Sequence, residues 1–276
     1  MSPASMSHAA ASHTATSHAS TGPLAGRLIA ITGGARGIGL ALGLAAARAG
    51  ARVALLDRLD TVGASARRLT EETGADCLGV EVDVTDPASV EQAFDQVEGA
   101  LGPADGLVNA AGITLGTPAL DIGLEDWNRI LAVNVTGTLL TCQAFARRHI
   151  ARESGREAAV VNVSSMSAFA VNVPQTQAAY NTSKAAVSML TRSLAVEWLP
   201  LGVRVNAIAP GYIASDMTRD FVAQNPEMAE DWVSRIPAGR MGTPEELGDL
   251  VVYLLGPGSA YMVGQSLVID GGYTLV

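Results

Sequence analysis

Tyr180 and Lys184 stand four residues apart in the run Tyr180-Asn181-Thr182-Ser183-Lys184. On a helix that spacing puts a phenol and an ammonium on one face, where they can converge on one cavity. A phenol with an ordinary pKa of about 10 is only ~0.1% ionised at pH 7. Bringing it to around 7 takes roughly 4 kcal/mol of differential stabilisation of the phenolate, for which a nearby cation is one source. A phenol so tuned moves protons on and off a substrate oxygen. The run Val161-Asn162-Val163-Ser164-Ser165 ends in hydroxyls, and Asn109-Ala110-Ala111-Gly112 closes a second apolar run. Asn134 is an amide within the otherwise apolar stretch 131–137. A buried amide needs hydrogen-bond partners, so Asn134 is either a structural tie or part of a polar relay.

A second constellation suits a phosphate. Thr32-Gly33-Gly34-Ala35-Arg36-Gly37-Ile38-Gly39 lies between an apolar run and an alanine- and leucine-rich helical stretch. Gly33 permits a tight turn, Gly37 carries no Cβ to obstruct a pyrophosphate, and Gly39 allows close helix packing. The helix that follows would present free N–H groups and the positive end of its dipole to the anion. Asp57 closes the next apolar run, 18 residues after Gly39. A carboxylate there accepts both ribose hydroxyls of NAD and repels a 2′-phosphate. Arg36 and Arg58 stand close by in sequence, and either guanidinium suits such a phosphate, which leaves NADP as the second choice.

The elements that must position these groups are legible as a rhythm. Apolar, β-branched runs at 27–32, 52–57, 77–83, 106–109, 158–164, 204–209 and 266–270 alternate with helical stretches. Those stretches lie near 37–49, 61–72, 87–101, 125–151, 178–200 and 243–255. Strands apolar throughout and separated by amphipathic helices predict a seven-stranded parallel sheet covered on both faces. With right-handed crossovers this is a doubly wound α/β Rossmann fold, in which ligands bind at the C-terminal strand edge. No Pro/Gly-rich linker divides the chain after Gly22, so 23–276 is expected to be one domain.

Composition narrows the partners. The 276 residues are 48% apolar and 16% charged, enough to bury a large core, and the net charge is −9. An acidic chain gives nucleic acid no broad electrostatic reason to bind and offers no polybasic membrane anchor. No apolar run reaches the ~20 residues that span a bilayer. Cys77 and Cys142 cannot build a disulfide framework or a Cys-rich zinc site, and are expected as small buried hydrophobes in a reducing compartment, the cytoplasm. Residues 1–22 are almost entirely Ser, Ala, Thr and His with no continuous apolar stretch, which reads as a disordered tail rather than a secretory signal. Its Ser-His pairs recur every five residues and offer weak metal binding at most. No ligand cluster for a catalytic metal is evident.

Thr32-Gly33, Gly37, Gly39, Asp83-Val84, Asn109-Ala110-Ala111-Gly112, Asn134, Ser165, Tyr180, Lys184 and Pro210-Gly211 occur in the order of one family's pattern. Over residues 24–276 the chain resembles the short-chain dehydrogenase/reductase family. The resemblance implies that Tyr180 is the general acid/base, that Ser165 holds the substrate oxygen, and that Lys184 binds the nicotinamide ribose and lowers the tyrosine pKa. It implies that Asn134 holds a proton-relay water. Asp83 and Val84 would contact the adenine, Asn109 the adenosine ribose region, and Ile213 with Ser215 the carboxamide, Ser215 standing where the family usually has Thr. Hydride would pass to the pro-S face. The family's serine most often precedes the tyrosine by 13 residues, which selects Ser167; aligning the strand end selects Ser165, 15 residues before Tyr180. Strand register fixes side-chain direction while a loop absorbs two residues, so Ser165 is preferred and Ser167 is placed in the substrate pocket.

The loop 165–175 and the closing run Ile269-Asp270-Gly271-Gly272-Tyr273-Thr274 are similar to those of polyol and ketose dehydrogenases in the family. That similarity implies mannitol-, galactitol-, arabinitol- or xylulose-type substrates, or another secondary alcohol or diol. Ser167 and Asn172 would supply hydroxyl contacts, or else stabilise the loop. Residues 212–240, with Tyr212, Met217, Phe221, Met228 and Trp232, read as a substrate lid or as a helix simply packed on the core. The alternatives are an NADPH-dependent 3-oxoacyl-thioester reductase and a cofactor-binding regulator without turnover. By family resemblance the helices near 125–151 and 178–200 pair between subunits of a homotetramer, and the apolar 273–276 end packs on a neighbour.

Overall fold

The computed structural model describes residues 22–152, 157–215, 218 and 222–276. The Ser/His tail up to residue 21, and Met217 and Phe221 of the expected lid, lie outside the described residues.

Seven strands form one parallel sheet: β1 Leu28–Thr32, β2 Arg52–Asp57, β3 Cys77–Glu81, β4 Gly106–Asn109, β5 Ala158–Val163, β6 Val203–Pro210 and β7 Ser266–Ile269. Their spatial order is β3-β2-β1-β4-β5-β6-β7. Winding runs outward from β1 to β3 and then resumes at β4 on the other side of β1. Between β1 and β4 the sheet therefore has its switch point, where crossovers diverge and leave a crevice. β1 and β4 pair with Thr32 opposite Asn109, and β4 and β5 with Asn109 opposite Asn162.

Strand side chains alternate between faces, so adjacent apolar residues feed two separate cores. Ile29, Ile31, Leu55, Val108 and Val161 pack with Leu42, Leu69 and Leu254 on one face. Leu28, Ala30, Leu56, Leu107 and Val160 pack with Phe94, Phe145 and Leu194 on the other. The helices are α1 Gly37–Arg48, α2 Val62–Thr73, α3 Pro87–Leu101, α4 Leu124–Leu131, α5 Thr138–Ala151, α6 Ala178–Trp198, α7 Pro226–Ser234 and α8 Gly248–Leu255. None of the described helices is long and apolar enough to cross a membrane.

Three expectations need correction. The single helix near 125–151 is α4 and α5 joined by a π-helical segment, Ala132–Gly137. Its wider turn displaces the backbone around Asn134 from regular α geometry. The third strand ends at Glu81, so Asp83 lies beyond the ladder. Of the cysteines, Cys142 is buried but Cys77 is only half-buried, because it opens the edge strand β3, which has a neighbour on one side alone.

Candidate active site

The turn after β1 has the geometry its glycines predict. Gly33 adopts φ +67° and Gly37 φ +57°, a region that side chains disfavour. A Cβ on Gly39 would lie 2.1 Å from the Gly33 carbonyl oxygen, so only glycine lets α1 begin so close to the turn. A Cβ on Gly37 would meet nothing nearer than Ser215 Cβ at 3.9 Å, so this side of the turn faces open space. Arg36 caps α1 without a side-chain hydrogen bond, and α1 starts at the cavity with the positive end of its dipole toward it.

That open space is a cavity of about 500 Å3 at the switch point. Gly33, Arg36, Gly37, Ile38 and Gly39 line it from the turn, Asp57, Asp83 and Val84 from the strand ends beyond, and Gly112 and Ser215 from the other side. Asp57 is held from both sides: Oδ2 accepts the Ala35 N–H at 2.9 Å and Oδ1 the Leu59 N–H at 3.1 Å. Asp83 Oδ1 accepts both the hydroxyl and the backbone N–H of Thr85, which hold its carboxyl below the usual range. Arg36 and Arg58 line the same cavity as Asp57. Bare turn, helix N-terminus and anchored carboxylate together fit a dinucleotide with its pyrophosphate on α1 and a ribose at Asp57.

Six predicted cofactor residues stand outside this lining, Tyr180 and Lys184 beside it and four others. Asn109 is 3% exposed, and its amide donates to Asn162 Oδ1 (2.9 Å) and Cys142 Sγ (3.1 Å) while accepting from Thr141 Oγ1 (2.7 Å). With Asn162 bonded to Thr191, this network ties β4 and β5 to α5 and α6. The Asn109 side chain is thus a core tie, a correction to its expected place at the adenosine ribose. Burial in this network pushes the Cys142 thiol up to about 12. Pro210 and Ile213 are buried, and a Cβ on Gly211 would lie 2.6 Å from Asp270 Cα, so these three position the chain rather than line the cavity.

Across Gly112 the cavity meets the second constellation. Lys184, 5% exposed, donates from Nζ to the Val163 carbonyl at 2.8 Å, and Nζ lies 5.6 Å from the centroid of the Tyr180 ring. Burial lowers Lys184 to about 8, so it keeps most of its charge at neutral pH. A Cβ on Gly112 would lie 3.4 Å from Asn134 Oδ1 and 3.5 Å from Lys184 Nζ, so glycine leaves room for both. Burial raises the Tyr180 phenol above its ordinary value, against the opposing effect of the facing Ser165 hydroxyl. Any lowering of the phenol pKa must therefore work against this desolvation.

Asn134 resolves as a tie. Its Oδ1 accepts the Ile113 N–H, and Nδ2 donates to the Ile113 carbonyl and to Ser183 Oγ, each at 2.9 Å. Both amide protons are spent. The expected relay water has no donor left on this side chain.

Beyond β5, Ser165 Oγ–H donates to Ser167 Oγ at 3.1 Å, and Ser167 donates onward to Asn172 Oδ1. Gln177, which precedes α6, reaches Ser167, Asn172 and Asn181 from one amide nitrogen. Tyr212 corrects another expectation. It is 8% exposed, stacked on Trp232 at 4.5 Å and edge-on to Tyr273 at 5.5 Å, so it supports the pocket from behind. Gln175 Oε1 accepts from both Tyr212 Oη (3.0 Å) and Trp232 Nε1 (2.7 Å), fastening the 165–177 loop to α7. Sequence reasoning missed Gln175 and Gln177. The one available signal was the i,i+4 spacing of Gln177 and Asn181.

A family model described as Enoyl-(Acyl carrier protein) reductase matches residues 33–274. Galactitol 2-dehydrogenase (L-tagatose-forming) of Cereibacter sphaeroides is 42% identical over 253 residues, 91% of this chain and 96% of the relative. A short-chain type dehydrogenase/reductase from Mycobacterium marinum superposes with a TM-score of 0.85 at 42% identity, covering 92% of this chain and 97% of that one. A gluconate 5-dehydrogenase from Burkholderia cenocepacia, solved with NADP and tartrate, gives a TM-score of 0.84 at 34% identity over 91% of this chain and 96% of that one. With its parallel sheet, glycine turn and Ser165/Tyr180/Lys184 cluster, the chain belongs to the short-chain dehydrogenase/reductase family, oxidoreductases that interconvert alcohols and ketones.

Proposed function

We propose that the protein is an NAD-dependent oxidoreductase that transfers hydride reversibly between nicotinamide and a secondary alcohol or its ketone, the alcohol being a polyol, sugar alcohol or diol. One observation carries the reading: Tyr180, Lys184 and Ser165 meet at the edge of a glycine-floored cavity whose far end holds Asp57. When bound, the nicotinamide is the hydride acceptor or donor. In oxidation Tyr180 takes the hydroxyl proton, and in reduction it returns one to the carbonyl oxygen. Ser165 holds that oxygen through its hydroxyl. Lys184 holds the ribose and keeps a positive charge near the phenol. Asp57 takes the adenosine ribose hydroxyls, and its carboxylate supports NAD over NADP. Ser167 and Asn172, with Gln177, back Ser165 with hydroxyl and amide groups, and a relative named for galactitol supports a hydroxylated substrate. Residues 212–240 act as the lid, and the enzyme works as a homotetramer in the cytoplasm.

A second reading, an NADPH-dependent 3-oxoacyl-thioester reductase, is favoured by Arg36 and Arg58 beside Asp57. An absorbance assay of galactitol, threitol, arabinitol, cyclic alcohols, diols and ketones against NAD(H) and NADP(H) separates the two. Faster turnover of a polyol or diol with NAD is the expected result. Activity confined to NADPH and a 3-oxoacyl thioester would overturn it.

A further inference from the structure

Ser165, Ser167, Asn172 and Gln177 form a set of hydrogen bonds whose protons can be counted. Asn172 is 2% exposed, and its Oδ1 accepts from Gln177 Nε2 at 3.2 Å and from Ser167 Oγ at 2.5 Å. Gln177 Nε2 also donates to Asn181 Oδ1 at 2.9 Å, which fixes the nitrogen end of that amide in the cluster. An amide oxygen only accepts, so the single proton of the Ser167 hydroxyl is spent on Asn172. Toward Ser165, Ser167 Oγ then offers lone pairs alone, and Ser165 Oγ–H donates to it at 3.1 Å. The Ser167 N–H donates in turn to Ser165 Oγ at 3.1 Å. What Ser165 presents to the oxygen beside it is a lone pair.

We propose that Asn172 and Ser167 are positioning residues that set the direction of the Ser165 hydroxyl, so that Ser167 competes with the oxygen at Tyr180 for the Ser165 proton. The inference rests on the roles of Tyr180 and Ser165 given above. With the phenol protonated, donation runs from Ser165 to Ser167 to Asn172, and the phenol draws no proton from Ser165. A phenolate, or a substrate carbonyl, needs the Ser165 proton for itself. Ser165 then turns and gives up its bond to Ser167, whose oxygen keeps only a shared contact with Gln177 Nε2 at 3.3 Å, both protons of that amide being directed to Asn172 and Asn181. No covalent bond changes; one hydroxyl rotates. Removing the acceptor at 167 releases the Ser165 proton to the phenolate. An aspartate at 172 keeps both accepted bonds, holds the Ser167 proton harder and adds negative charge, so it acts in the opposite sense. The charged group against the phenol ring is Lys184 on α6, and Tyr212 faces Asn172 from the segment after β6, where it also bonds Gln175.

Carbon-13 NMR of the full chain labelled at tyrosine Cζ, with and without NAD, reads the midpoint directly. The Tyr180 signal is the one lost in Tyr180→Phe. Ser167→Ala should lower its midpoint by about half a unit or more, and Asn172→Asp should raise it. Circular dichroism checks each fold, and Ser167→Cys, a far weaker acceptor of near-equal shape, replaces a variant that collapses. A wild-type phenol that stays protonated over the stable range while the Ser167 variant ionises also supports the inference. Midpoints unmoved, shifted alike in both variants, or absent in both overturn it. A Tyr180→Phe enzyme with wild-type turnover defeats the functional reading instead.

Discussion

Ser165 and Ser167 are both buried and two residues apart, yet only Ser165 faces the phenol. Ser165 leaves β5 in extended conformation, φ −166° and ψ 157°, before the chain tightens into the single turn Met166–Ala168. Ser167 sits on that turn and points its hydroxyl at Asn172. Ser165→Ala should therefore lower kcat on the best substrate by about 10²–10³-fold, the cost of losing one donor at a reacting oxygen. For Ser167→Ala kcat should change by less than about tenfold, since it acts only through Ser165. Steady-state kinetics reads both, and the reverse ranking contradicts the assignment. Tyr180, Lys184 and the glycines were legible because helical spacing and turn position determine where such residues point. Asn109 and Tyr212 were misread because a residue at the right strand edge can still turn its side chain inward. Gln175 and Gln177 were missed because their partners Trp232 and Asn172 meet them only through the path of the loop, the spacing of Gln177 and Asn181 being the lone signal.

At the scale of elements, α6 presents Tyr180 and Lys184 from adjacent turns, with the Val163 carbonyl of β5 accepting from the lysine. The π segment does the same for Asn134, whose amide joins Ile113 after β4 to Ser183 on α6. A Cβ on Gly137 would lie 2.8 Å from Val84 Cγ2, so this glycine sets how closely the segment approaches the cavity wall. Strand and helix order was readable from apolar periodicity, which differs plainly between the two. The π turn was not, because Ala132–Gly137 is as apolar and as regularly spaced as the helices around it. Strand ends were readable to within two residues, and β3 stopped early at the sheet edge.

In the whole molecule, the switch point between β1 and β4 decides where the cavity opens, and the α6 end brings the phenol to its rim. The outer face of α6 leaves Met189 at 57% and Val196 at 75% exposure. That apolar face accords with the proposed homotetramer; light scattering should give the mass of four chains, and a monomer contradicts it. Beyond the edge strand β7, Leu275 and Val276 are 85% and 91% exposed, in keeping with a chain end that packs on a neighbour. The account depends most on the Tyr180 hydroxyl as the group that exchanges a proton with substrate beside the dinucleotide cavity. Tyr180→Phe removes that oxygen and little else, so NAD binding by calorimetry and turnover of the best alcohol should be measured on the same preparation. Unchanged NAD affinity with kcat lowered by about 10²–10⁴-fold is the predicted result. Wild-type turnover in that variant would contradict the account.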